Sequence, residues 1–229
     1  MGVQCAPLLR IMRFVLLAVA LVAMLGSGPA GGVRVDDWDS RAPGPLELGE
    51  TWRTYPFYDK GIVAQPPAIV LDDGRRALRL ATENEAIRVG RPMKIDVRAT
   101  PWLVWEWKPL VLPDRGDARD QRRNDQAARV MIVFEGMKAI AYLWDTSAPV
   151  GAEVEPDLLE MFQRVLIVVR SGTDGVGRWD RQRRNVYEDY VRVFGEEPRS
   201  TNWVGFESHS NDTRTRSAAL FGAASFEPR

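Results

Sequence analysis

The stretch PAIVLDDGRRALRLAT, residues 67–82, restricts the fold more than any other part of the chain. Two runs of strand-forming residues flank Asp73-Gly74. A two-residue turn between paired strands needs φ > 0 at both central positions, which Asp-Gly supplies, so these residues read as a β-hairpin. The same rhythm recurs. WLVWEWKPLVL (102–112), RVMIVFE (129–135) and AIAYLW (139–144) are dense in β-formers, and Gly136-Met137-Lys138 joins the last two as a hairpin. RVLIVVRSG (164–172) is expected to fold back through Asp174-Gly175 onto the segment around Trp179. NWVGFES and SAALFGAASF supply closing strands. Short strands separated by turn residues indicate an antiparallel sandwich or barrel.

Two segments break the pattern. In RNVYEDYVRVFGEEP, Asn185 is placed to cap a helix with Glu188 three residues on, and Gly195 and Pro198 end it. The spacing puts Tyr187, Tyr190, Val191 and Phe194 on the buried face. EVEPDLLEMFQ, residues 153–163, carries a weaker helical pattern. PDRGDARDQRRNDQ, residues 113–126, is a charged loop.

The N-terminus has its own logic. Arg10 and Arg13, an uncharged apolar run from Phe14 to Leu25, and the small residues up to Ala30 have the layout of a secretory signal peptide. That run is short of the ~20 residues a membrane span needs, so an uncleaved anchor is the lesser alternative. The expected organisation is a signal peptide over 1–30, an irregular entry segment over 31–50 and one domain over 51–229, in a periplasmic or secreted protein. Without Arg10 and Arg13, the 31 basic residues fall to 29 against 31 acidic ones, a net charge of −2. Nucleic-acid binding, which needs a basic face, is not expected. Cys5 lies within the signal segment and is the one cysteine, so disulfides, zinc thiolates and cysteine nucleophiles are excluded from the mature chain.

No Walker loop, HExxH or GxSxG pattern occurs. His209 is the single histidine and is expected in a partly exposed loop before the last strand. Carboxylates remain for acid–base work. Glu106, Glu135, Asp145 and Asp189 are the catalytic candidates, with Asp212 beside them. Alternation along WEWK sends Trp105 and Trp107 to one face and Glu106 to the other, where an arginine is its expected partner. Trp102 and Trp144 are candidate platforms for a flat ligand such as a sugar ring. Arg129 is expected to pair with Asp125, Asp145 or Asp189. Asp125, Asn211 and Asp212 are candidate oxygen donors to calcium, and Asp212 and Thr213 tie down the last turn.

The order WEWKP, NDQAARVMIVFE, AYLWD, RNVYEDYVRVFGEEP, NDT, LFGAASF resembles an uncharacterised bacterial family, domain of unknown function 3047. Trp105, Trp107, Asp125, Arg129, Trp144, Asn185, Asp189, Gly195, Thr213 and Gly222 match its pattern. The resemblance implies an exported, jelly-roll-like β-sandwich similar to carbohydrate-binding modules, with no established activity or cofactor. It also implies an acid where His209 stands, and a second acid beside Asp125 where Asn124 stands. The reading that follows is a non-catalytic binding module of the cell envelope, with a glycan or envelope component as partner. The alternatives are a carbohydrate-active hydrolase using two carboxylates and a structural domain with a cation site.

Overall fold

The computed structural model describes residues 31–54, 65–155 and 162–229. Residues 1–30, which the sequence reads as a signal peptide, and residues 156–161 of the weaker helical pattern lie outside the described residues. In chain order the strands are β1 (Val33–Arg34), β2 (Gly44–Pro45), β3 (Arg53–Thr54), β4 (Ala68–Asp72), β5 (Arg75–Glu83), β6 (Ala86–Pro92), β7 (Trp102–Val111), β8 (Ala128–Phe134), β9 (Lys138–Asp145), β10 (Glu153–Val154), β11 (Gln163–Ser171) and β12 (Asp180–Asn185). The helix α1 (Val186–Phe194) follows, then β13 (Thr201–His209) and β14 (Arg216–Glu227).

Two sheets pack face to face. The first runs β12-β7-β14-β5-β4-β2, with β1 also paired to β14; the second runs β10-β11-β9-β8-β13-β6-β3. The protein is a mainly β jelly-roll sandwich, as its turn-punctuated strands imply. Two hairpins form as their turn residues dictate. Asp73 and Gly74 have φ of 49° and 76°, and Gly136 and Met137 have 91° and 63°, the left-handed values a tight hairpin needs.

Three expectations are corrected. β11 does not fold back onto the segment around Trp179. It pairs in parallel with β9, and β12 crosses to the first sheet to pair with β7. Glu153 and Val154 are a strand on β11, not the start of a helix. Within α1 the buried residues are Val186, Asp189 and Tyr190, one position away from the expected face. The Tyr190 ring meets Phe134 at 4.6 Å. The caps agree: Asn185 Oδ1 accepts the Glu188 N–H at 3.1 Å, and Gly195 ends the helix at φ 68°.

The core between the sheets is aromatic. Trp105 stacks on Tyr142 at 5.2 Å and meets Trp107 edge-on at 5.3 Å, and Trp107 contacts Trp144 at 6.0 Å. Trp38 and Trp52 lie 4.5 Å apart at another part of the core. Trp38 Nε1 donates to the Gly222 carbonyl, so the entry segment is anchored to β14.

In the second sheet β6 and β13 pair antiparallel, with Gly90 opposite Gly205. A Cβ on Gly90 would lie 2.5 Å from the Val204 carbonyl and 2.6 Å from Gly205 Cα, both backbone atoms. Gly90→Ala should therefore destabilise the fold by about 1–3 kcal/mol through overpacking. Urea denaturation checks this; a midpoint equal to that of the wild type would contradict the packing described.

Candidate functional site

Strand β7 alternates as its sequence requires. Trp105 and Trp107 are fully buried, and Glu106 points outward, paired with Arg75 at 3.0 Å. Opposite Glu106, β14 carries a bulge: Phe221 pairs with Trp107 and Ala224 with Trp105, so Gly222 and Ala223 together face one residue. Bulges re-aim side chains and recur beside functional sites. Here the extra residue comes with small side chains, and a groove of about 400 Å³ opens over them. Arg34, Asp39, Asp73, Arg75, Arg76, Glu106 and Ala223 line it. A smaller extension passes Arg181 and Ser225.

Each side chain is positioned from a different element. Arg181 lies in register with Glu106 across the β12–β7 pair. Arg75 leaves the hairpin turn, spans to Glu106, and lies over the Trp179 ring at 5.1 Å. Trp179 is half-buried and donates from Nε1 to Asp72. A Cβ at Gly222 would come within 3.1 Å of both Glu106 Oε2 and Trp179, so glycine there is what lets both side chains sit over the bulge. Arg75 holds Glu106 Oε2, while Oε1 accepts no hydrogen bond from the described residues. Three carboxylates thus share an open groove with arginine donors, and the Trp179 ring lies under Arg75 and Lys108.

A second polar cluster lies on the face of the other sheet that points away from the sandwich core. Glu207 on β13 is flanked in register by Arg88 on β6 and Arg129 on β8. All three are almost wholly buried. Arg88 Nε and Nη2 donate to the two Glu207 oxygens, and Arg129 Nη1 lies 3.8 Å away. Burial alone would raise the Glu207 carboxyl, but Arg88, His209 and Arg129 outweigh it and hold it well below the usual range. Burial lowers Arg129 to about 10, with Glu207 opposing. His209 Nε2 is 3.1 Å from Glu207; burial and the Arg129 charge push the imidazole down to about 3. His209 is therefore no exposed loop residue. It ends β13, buried and neutral.

The remaining candidates divide. Asp145 is buried and accepts from the N–H groups of Ala118, Ser147 and Ala148 and from Gln126 Nε2. It organises two loops, and burial raises its pKa despite those bonds. Asp189 is buried beneath Arg184, Arg192 and the Tyr142 hydroxyl, which outweigh its burial and lower its pKa. Neither can reach a ligand. Glu135 pairs with Lys94 at 3.3 Å on the surface, outside the groove. Trp144 is buried in the core and is no platform. Trp102 is covered by the Arg183 guanidinium at 3.5 Å. Arg129 pairs with none of Asp125, Asp145 or Asp189. Its Nη2 donates to the Asn124 carbonyl and side chain, because the register of β8 against β13 turns it toward Glu207. Asp125 Oδ2 accepts from the Thr213 N–H at 2.6 Å and hydroxyl at 2.7 Å, whereas Asp212 accepts from Asn211 Nδ2 at 2.6 Å.

Glu207, Arg88, Arg75, Asp39 and Trp179 were not among the sequence candidates. The alternation of Val204 and Phe206 with Gly205 and Glu207 held the signal for Glu207: an acid inside a strand-forming stretch.

The neutral buried His209 has a measurable consequence. The unfolded chain takes up a proton near pH 6.5 that the folded chain refuses until about pH 3. Stability should fall with decreasing pH across that window, with this residue contributing a slope of up to about 1.4 kcal/mol per pH unit. His209→Gln should flatten that component. Urea titrations between pH 7 and 4 check it; identical slopes in the two proteins would contradict a neutral, buried His209.

Comparison with known proteins places the chain as follows. The family model described as "Protein of unknown function (DUF3047)" matches residues 50–224. No curated protein matches the chain. Among solved structures it is similar to a native family 12 xyloglucanase from Bacillus licheniformis, at 7% identity and TM-score 0.48, covering 82% of this chain and 99% of that one. It is also similar to an endoglucanase from Rhodothermus marinus, at 8% identity and TM-score 0.45, covering 81% and 98%. A third is the xyloglucanase domain of a type three effector from Sinorhizobium fredii, solved with cellobiose, at 8% identity and TM-score 0.46, covering 84% and 100%. These likenesses concern the fold. The expectation of a non-catalytic envelope-binding module similar to carbohydrate-binding modules is corrected: the structures found beside this chain are glycoside hydrolases.

Proposed function

The chain belongs to the family of proteins of unknown function DUF3047, and we propose that this member is a carbohydrate-active hydrolase working through carboxylates in the Glu106 groove. One observation carries the reading. Glu106 is a carboxylate oriented by an arginine through one oxygen, with the other uncommitted, in an open groove that also holds Asp39 and Asp73. Hydrolysis of a glycosidic bond needs two carboxyl groups, one to donate a proton to the leaving oxygen and one to attack or to activate water. Glu106, fixed by Arg75, has the second role. Asp39 or Asp73 supplies the first.

The rest of the groove suits a sugar. Arg34, Arg75 and Arg76 balance the three acids along the main groove, which gives donors and acceptors for hydroxyl groups without a strong net charge. The small floor of Gly222 and Ala223 leaves room for a ring. Export through the signal segment read in residues 1–30 fits an extracytoplasmic polymer as substrate. The xyloglucanases and endoglucanases of like fold choose the first polymers to try and carry no weight beyond that.

Purified protein should release reducing ends from soluble β-glucan or xyloglucan. Glu106→Gln should lower the rate ~10²–10⁴-fold, the range for losing a positioned acid–base group. Asp39→Asn and Asp73→Asn identify the proton donor. No release from either polymer, or full activity in Glu106→Gln, would contradict the proposal.

A further inference from the structure

The main groove does not end at Glu106. A narrower extension of about 130 Å³ continues from it between Arg34 and Arg181, and shares Arg34, Glu106 and Ala223 with the main groove. The strand register builds this extension. Arg34 on β1 pairs with Ser225 on β14, and Ser225 pairs with Val104 on β7. Arg181 on β12 pairs with Glu106, two residues further along β7. Cross-strand partners share a face, so these side chains stand on the outer face of the first sheet. Val104 and Ser225 form a small floor, with a guanidinium on either side.

Arg34 is held in place by the fold. Its Nε and Nη2 donate to the two oxygens of Asp36 at 2.6 and 2.8 Å. Asp36 is buried and accepts the Ala224 N–H at 2.7 Å, so the bulge, the acid and the guanidinium are one unit. Nη2 also reaches Asp39, and Nη1 has no hydrogen-bond partner among the described residues. Arg181 is freer still: its ionic neighbour among those residues is Glu227, at 3.9 Å, too far for a hydrogen bond. The Ser225 hydroxyl is likewise uncommitted among them. Glu106 is the acid that lines the extension, and Arg75 already holds its Oε2. Donors therefore outnumber acceptors here, unlike in the main groove. Guanidinium forks keep their charge at any ordinary pH and match the oxygens of a carboxylate or sulfate.

We propose that the extension binds an anionic substituent, a carboxylate or a sulfate, on a sugar next to the one in the main groove, which makes the ligand an acidic glycan. This rests on the reading of the main groove as a glycan cleft. The main groove takes hydroxyl groups, and Arg34, Arg181 and Ser225 take the charge. Charge-assisted hydrogen bonds of this kind correspond to ~10–100-fold in affinity.

The test measures binding to the full chain, separately from turnover. The probes are a galacturonic acid tetramer, its methyl ester, a sulfated galactose tetramer and its unsulfated form, titrated calorimetrically at low ionic strength. At least one anionic probe should bind ~10–100-fold more tightly than its neutral counterpart, and added salt should shrink the difference. A preference confined to the uronate identifies a carboxylate, and one confined to the sulfated tetramer identifies a sulfate. Arg181 is exposed on the edge strand β12, so Arg181→Gln should keep the wild-type circular dichroism spectrum. It should bring the anionic probe down to the affinity of its neutral form. The inference is overturned if neither anionic probe is preferred, or if Arg181→Gln keeps the full preference. Anion preference without any glycan cleavage counts against the hydrolase reading alone, and cleavage of neutral glucan without anion preference counts against the extension alone.

Discussion

The stacking of Trp105 on Tyr142 is the contact on which the remainder of the molecule rests. Trp105 comes from the first sheet and Tyr142 from the second, and their rings lie 5.2 Å apart at 19°. Trp107 and Trp144 continue the contact along the same two strands. Aromatic pairs of this kind contribute ~0.5–1.5 kcal/mol each beyond the area they bury. The Tyr142 hydroxyl donates to Asp189 at 2.7 Å, and Arg184 and Arg192 close on that carboxylate from β12 and α1. The apolar core thereby reaches out to fix the helix and the edge of the first sheet. The pleat that turns Trp105 and Trp107 inward turns Glu106 outward, so the groove exists because the core does.

The two faces of the sandwich use charge in different ways. In the groove, carboxylates and arginines meet near solvent, where an ion pair orients a side chain and contributes little to stability. On the outer face of the second sheet, Arg88, Glu207 and Arg129 form a row across three strands with almost no exposure. Removing one member there would strand the others without solvent and cost several kcal/mol. Glu207 is thus a carboxylate committed to the fold, while Glu106 keeps an oxygen uncommitted.

What the sequence made legible follows from range. Asp73-Gly74, Gly136-Met137 and the Asn185 cap depend on neighbours within four residues, and all three take the conformation their chemistry demands. The outward turn of Glu106 is equally local, because alternation needs only the strand. The parallel pairing of β9 with β11 and the crossing of β12 to the first sheet depend on which long segment finds which, and no short pattern encodes that. The same gap explains the site residues. Arg88 and Glu207 are 119 positions apart, and Arg75 and Glu106 are 31 apart. Alternation predicts a face but not the partner across it. His209 was misplaced for this reason: its polar neighbours suggested a loop, and the buried arginines that keep it neutral lie elsewhere in the chain.

The proposed hydrolase meets its substrate in the groove over the Gly222-Ala223 bulge. The most direct measurement is a ¹H–¹⁵N correlation spectrum of the Glu106→Gln protein titrated with a soluble glucan oligosaccharide. A substrate seated in the groove should shift signals concentrated on the Trp179 indole N–H and on the backbone of Arg75, Gly222 and Ala223. Unchanged spectra, or shifts confined to the outer face of the second sheet, would contradict it.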